Sequence, residues 1–145
     1  MLPPFTNSGD LPAGIHPAGW NEIEQRFGRG SEQRVRVFAQ LRHLHELAER
    51  TERLERFLVF GSFVTTVAEP RDVDVVLVMV ADFKPEDAPR ESRTLFSHPD
   101  AEARFGASVF WLREGMLPEL LMREFLETWQ TKRDGTKRGI VEITP

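Results

Sequence analysis

Two carboxylates open the most apolar run of this chain: Asp72 and Asp74 in "DVDVVLVMV", residues 72–80. Residues i and i+2 of a strand point to one face, so the pair are predicted neighbours at the mouth of a buried strand. Two such acids repel, and sinking both among valines without a counter-charge is costly. A hard divalent cation resolves that conflict, and Mg²⁺ commonly completes its shell with water and nucleotide phosphates. Just upstream, Gly61 and Ser62 close another apolar run, "RFLVF". A glycine lets the backbone approach a ligand, and a serine offers its hydroxyl and N–H to a phosphate oxygen. Together these parts describe phosphoryl or nucleotidyl transfer, where catalysis is mostly positioning and charge neutralisation. Each half of the pattern alone also suits ordinary loop residues at a strand edge. The conjunction of strand, Gly-Ser, short linker, Asp-x-Asp and apolar strand favours a site.

Other residues carry weaker signals. Lys132, Arg133, Lys137 and Arg138 surround Asp134-Gly135 and form the densest basic cluster. Such a cluster could hold a triphosphate or an RNA backbone, and a solvated hairpin tip is the plainer reading. Arg71 stands beside the acidic pair and could neutralise it. His43 and His45 lie two apart on a predicted helix, where they diverge and are expected on a solvated face. Trp20, Trp111 and Trp129 fall on apolar faces and are expected in the core. Neither His16, in the opening segment, nor His98, in a loop, has a partner that the sequence can assign.

The elements that must position these residues follow from period and punctuation. Residues 1–19 hold four of the ten prolines and show no period, which predicts an extended arm docked on a single domain spanning 20–145. "WNEIEQRF" (20–27) predicts a short helix ended by Gly28 and Gly30. Ser31 offers an N-cap to a long amphipathic helix, with Val35, Phe38, Leu41, Leu44, Leu47 and even Leu54 on its inward face. Strands are predicted at "RFLVF", "DVDVVLVMV", "ASVFWL" (107–112) and the end of "TKRDGTKRGIVEIT", with Asp134-Gly135 as a turn. Residues 82–104, with three prolines, read as loops with one or two helical turns. "MLPELLMREFLETWQ" predicts a second amphipathic helix, with Leu117, Leu120, Leu121, Phe125 and Trp129 inward. The fold class expected is α+β, or α/β-like: a mixed sheet flanked by helices.

Composition sets the limits. The 145 residues are 40% hydrophobic and 29% charged, enough for one packed core and unlike a disordered chain. A net charge of −4 argues against nucleic-acid binding over the whole surface. Without cysteine there is neither a disulfide framework nor a thiolate metal site. No uninterrupted apolar stretch could cross a bilayer, and "MLPPFTNSGDLPAG" lacks the plan of a signal peptide, so no membrane association and a cytoplasmic location are expected.

Phe57 to Val80 resembles the polymerase-β-like nucleotidyltransferases, above all their minimal single-domain members. There a Gly-Ser turn precedes an Asp-x-Asp metal site, with a further acid on a later strand. The wider chain, including "LPAGIHPAGWNEIEQRFG" and "RDGTKRGIVEI", resembles a small bacterial group of nucleotidyltransferase-like proteins. The resemblance implies Mg²⁺ (or Mn²⁺) on Asp72 and Asp74, and a nucleoside triphosphate against Gly61, Ser62 and the Thr65 region. It implies transfer of a nucleoside monophosphate to a protein or RNA hydroxyl, with a toxin partner or a tRNA end as acceptor in a toxin–antitoxin or defence setting. The chain departs from the pattern at three places. Thr65 stands near the usual site of an arginine, and the linker "FVTTVAEPR" is one residue short. Ser108 stands where the third acid is expected, with Glu102 and Glu114 flanking that strand. Serine cannot serve as the general base. A degenerate antitoxin or binding module that acts by contact with a partner is therefore the alternative.

Overall fold

The computed structural model describes residues 1–116 and 118–144, with residues 119–121 described by their backbone alone. Two helices open the ordered part of the chain after the first strand. Helix α1 spans Trp20–Phe27 and buries Ile23 and Phe27, one turn apart. Helix α2 spans Glu32–Glu49, and its N-cap Ser31 accepts from the Arg34 N–H at 3.1 Å. Its inward stripe is Arg34, Val37, Leu41, Leu44, Leu47 and Ala48. Val35, expected inside, is instead 55% exposed, because the stripe runs through Val37 at the helical period.

The helix also stops earlier than its heptad-like spacing suggests. Thr51 turns its hydroxyl back onto the Ala48 carbonyl at 2.6 Å, and Glu52 adopts a left-handed φ of 56°. Leu54 therefore begins strand β2 (Leu54–Phe60) rather than ending the helix. Strand β1 is Ile15–Ala18, β3 is Asp74–Met79, β4 is Ser108–Arg113 and β5 is Ile140–Ile143. Helix α3 (His98–Phe105) and helix α4 (Glu119–Gln130) complete the set, with short 3-10 turns at 62–64, 85–87 and 90–96. Of the residues expected inward on α4, Phe125 and Trp129 pack on the sheet, while Leu117, Leu120 and Leu121 lie outside the described side chains.

The fold is α+β, built on a mixed five-stranded sheet in the order β1-β5-β2-β3-β4. Strands β1 and β5 are parallel, β5–β2 and β2–β3 are antiparallel, and β3–β4 are parallel. Alternation along the strands builds two cores. Phe57, Val59, Val75, Leu77 and Met79 join the stripes of α1 and α2 and the apolar side of α3. Leu58, Phe60, Val76, Val78, Leu112 and Ile140 face α4 through Leu126. The proline-rich opening segment is more than an arm: it buries Leu2 and Leu11 and supplies the edge strand β1.

His45 is a second departure from expectation. It is no solvated-face residue, because its ring stands edge-on to Trp20 and to Phe57, with centroids 5.0 Å and 4.9 Å away. His43 does remain exposed. Trp111 packs edge-on to Phe83 and Phe96 and donates to the Phe96 carbonyl at 3.2 Å. Among the described residues, no helix is long and apolar enough to cross a membrane.

Candidate functional site

The site grows from the end of β2. Gly61 leaves that strand with φ 85° and ψ −165°, a backbone region open in practice only to glycine. A Cβ at this position would stand 2.1 Å from an Asp74 carboxylate oxygen. The glycine is thus a space for that carboxylate as much as a turn. Asp74 begins β3 and is paired on one side with Phe60 and on the other with Ser108 of β4. Asp72 lies just before the strand, which starts two residues later than its sequence pattern suggests.

The electrostatics of the pair follow from this placement. The Asp74 carboxyl is pushed up to about 6, first by burial and next by the charge of Asp72. The Ser108 hydroxyl and, more weakly, Arg138 pull it back down. Asp72 is also raised, by burial and by Glu102, with Arg71 opposing. Arg71 therefore partly neutralises Asp72. Glu102 bears on Asp72 from α3, whereas Glu114 bears on Arg56.

Three of the four basic residues gather in one pocket beside the start of β5. Arg138 precedes β5 and shares a pocket of about 360 Å³ with Lys132, Arg133 and Asp134. Its Nε is buried with no hydrogen-bond partner among the described residues. Lys132 is not a free hairpin-tip charge: its Nζ reaches the buried carboxylate of Asp10 at 2.9 Å. Asp10 in turn forms a bridge with Thr65, in the Gly-Ser loop. Lys137 turns away and donates to the Thr131 hydroxyl at 2.7 Å. The turn itself is as expected, with Asp134 accepting from the Thr136 N–H and hydroxyl.

Gly61, Asp72, Asp74, Ser108 and Arg138 therefore form one constellation, with Ser62 at its rim as the first residue of a 3-10 turn. Thr65 is held apart. It is buried, and its hydroxyl donates to the Ser62 carbonyl at 2.7 Å and accepts from the Val67 N–H at 3.2 Å. Its visible work is to close the loop. His16, against the Pro12 carbonyl at 2.7 Å, lies within β1 itself, in register with Val141. His98 does have a setting. It opens α3, stacks on Phe110 with centroids 4.7 Å apart, and places Nδ1 3.2 Å from the Val109 carbonyl.

Sequence reasoning missed the residues that hold the loop between the glycine and the acids. Arg34, only 6% exposed, donates to the carbonyls of Phe27 and Phe63 at 3.0 and 2.9 Å, of Thr65 at 2.7 Å, and of Val67. Gln33 reaches the carbonyls of Pro70 and Arg71, and Ser31 that of Ala68. The first turn of α2 thus clamps the whole connection from residue 63 to residue 71. The available signal was an arginine lying on an apolar stripe, where a charge needs several partners to be tolerated.

The fold and the site define an α+β protein with a glycine turn, an acidic pair and a basic pocket at one end of its sheet. The chain belongs to a family of unknown function, DUF6932, whose model matches residues 3–144. No curated protein and no solved structure matches the chain.

Proposed function

We propose that the chain binds a nucleoside triphosphate with a divalent cation at the end of β2 and β3, and transfers its nucleotidyl group to a protein or RNA hydroxyl. The observation that carries this reading is the close approach of Gly61 to the Asp74 carboxylate, which feels the charges of Asp72 and, more weakly, of Arg138. Two part-buried carboxylates with raised proton affinity, Asp74's in part through the charge of Asp72, are a donor set short of positive charge. Mg²⁺ or Mn²⁺ fits that set, since hard cations take carboxylate and hydroxyl oxygens and leave other positions to water and phosphate. Among the described residues no third His, Asp or Glu joins the pair, so Asp72 and Asp74 would hold the ion, with the Ser108 hydroxyl nearest. When bound, the ion would supply charge neutralisation for a phosphate.

The chain's own residues do the rest. Gly61 admits the phosphate backbone close to the sheet, and Ser62 offers its hydroxyl. Arg138, Lys132 and Arg133 attract the polyphosphate and orient it away from the acids. The acceptor hydroxyl gives up its proton to solvent water as its oxygen bonds to the α-phosphorus, the bond from that phosphorus to the bridging oxygen breaks, and pyrophosphate leaves. A toxin-like protein or a tRNA end would suit as acceptor.

Nucleotide binding without transfer is the second reading, favoured by Ser108. It occupies the β4 position in register with Asp74, where a carboxylate would complete a catalytic set. Incubation with α-labelled nucleoside triphosphates, Mg²⁺ and cell lysate separates the two. Label transfer lost in Asp72→Asn and Asp74→Asn supports the transferase. Metal-dependent binding without label transfer supports the second reading. Binding unaffected by Asp74→Asn would sink both.

A further inference from the structure

On the strength of that reading, we infer that the aromatic pocket between β4, α3 and α4 is the nucleobase subsite of the same ligand. The pocket has a volume of about 460 Å³, and its walls include His98, Phe110, Met116, Phe125 and Trp129. It neighbours the acidic pair along β4. Ser108, in register with Asp74, and Phe110 lie two residues apart on β4, so they share a face and stand about 7 Å apart. Phe60, in register with Asp74 on its other side, meets Trp129 at 4.6 Å, and Phe110 meets the same ring at 4.6 Å. Phe60, beside Asp74, and Phe110, two residues beyond Ser108, thus meet the same indole.

The order of chemistry across this end of the sheet gives the ligand a direction. The basic pocket adjoins β5, the acids sit on β3, and the aromatic walls lie over β4 at the far edge. Strands are spaced by about 4.8 Å, so the distance from β5 to β4 is about 14 Å, a reach suited to an extended nucleoside triphosphate. Its polyphosphate would lie toward Arg138 and Lys132, and its base in the pocket against the outer faces of His98 and Trp129, which Phe110 backs. A neutral, flat, aromatic group is what such walls accept, because every base has a π-face that stacks without a specific hydrogen bond. His98, half exposed and already stacked on Phe110, forms the outer wall.

The test compares ATP, CTP, GTP and UTP with inorganic tripolyphosphate, all with Mg²⁺, by calorimetry and tryptophan fluorescence. We expect the nucleotides to bind at least about tenfold more tightly than tripolyphosphate, and to quench fluorescence where tripolyphosphate does not. Phe110→Leu should weaken nucleotide binding about tenfold and leave tripolyphosphate binding unchanged. His98→Ala, at the rim, should do the same to a smaller degree and guards against a folding defect in the first variant. Equal affinity for nucleotides and tripolyphosphate, or insensitivity to both variants, overturns the base subsite while the phosphate site stands. An apolar side chain of a partner protein would then be the better occupant of the pocket. Failure of the wild type to bind either ligand overturns the phosphate site and the subsite together.

Discussion

Gly61 and Asp74 occupy one space: a single methyl group added to the glycine would lie 2.1 Å from the aspartate oxygen. Because Gly61 also has φ 85°, Gly61→Ala meets both a backbone penalty and a displaced carboxylate. The variant should lose about 2 kcal/mol or more of stability, read by urea denaturation. It should also lose Mg²⁺-dependent nucleotide binding. Full binding in a folded Gly61→Ala protein would show that the contact is only structural.

Asp74 should make the protein less stable as the solution becomes less acidic. Its folded carboxyl titrates at about 6 against an ordinary value of 3.8, so the folded state holds the extra proton between those limits. Stability linked to this group is full below pH 3.8 and is lost as the pH rises through about 6. Asp74→Asn should remove that slope and raise the melting temperature at pH 7 by a few degrees. Millimolar Mg²⁺ should raise the wild-type melting temperature and leave the variant's unchanged.

His45 should act in the opposite direction. Burial lowers its proton affinity from the ordinary 6.5, opposed by Glu49 and Glu46 and reinforced by Arg42. The unfolded chain therefore takes up the proton first, and stability linked to His45 is lost as the pH falls below 6.5. His45→Phe keeps an aromatic edge against Trp20 and Phe57 and should flatten the acid side of the stability profile. Thermal melts from pH 4 to 8 on the two single variants and the double variant separate the opposing slopes.

Arg34→Lys should be far from conservative. One ammonium cannot reach the carbonyls of Phe27, Phe63, Thr65 and Val67 that the guanidinium bridges. A loss of about 2–4 kcal/mol is expected from buried carbonyls left without donors. Amide exchange should quicken across residues 62–71 more than in β3, and nucleotide binding should weaken with it. Uniform loosening of the whole fold would argue against a local clamp.

The sequence by itself carried what is local. The apolar periods marked α1, α2 and the four strands from β2 to β5, and punctuation at Gly61, Asp134 and Gly135 marked the turns, because these signals lie within a few residues of one another. They also singled out Gly61, Asp72 and Asp74. Only the tertiary structure decided the sheet order β1-β5-β2-β3-β4, since pairing depends on burial between distant segments. That order brings Arg138 to Asp74, ties Lys132 to Asp10 and sets Ser108 beside the acidic pair. It also drew Arg34 and His45 inward, against the usual rule that charged and titratable side chains on a helix face water. Each is tolerated because residues far along the chain, four carbonyls for one and two aromatic rings for the other, meet it where water would otherwise be.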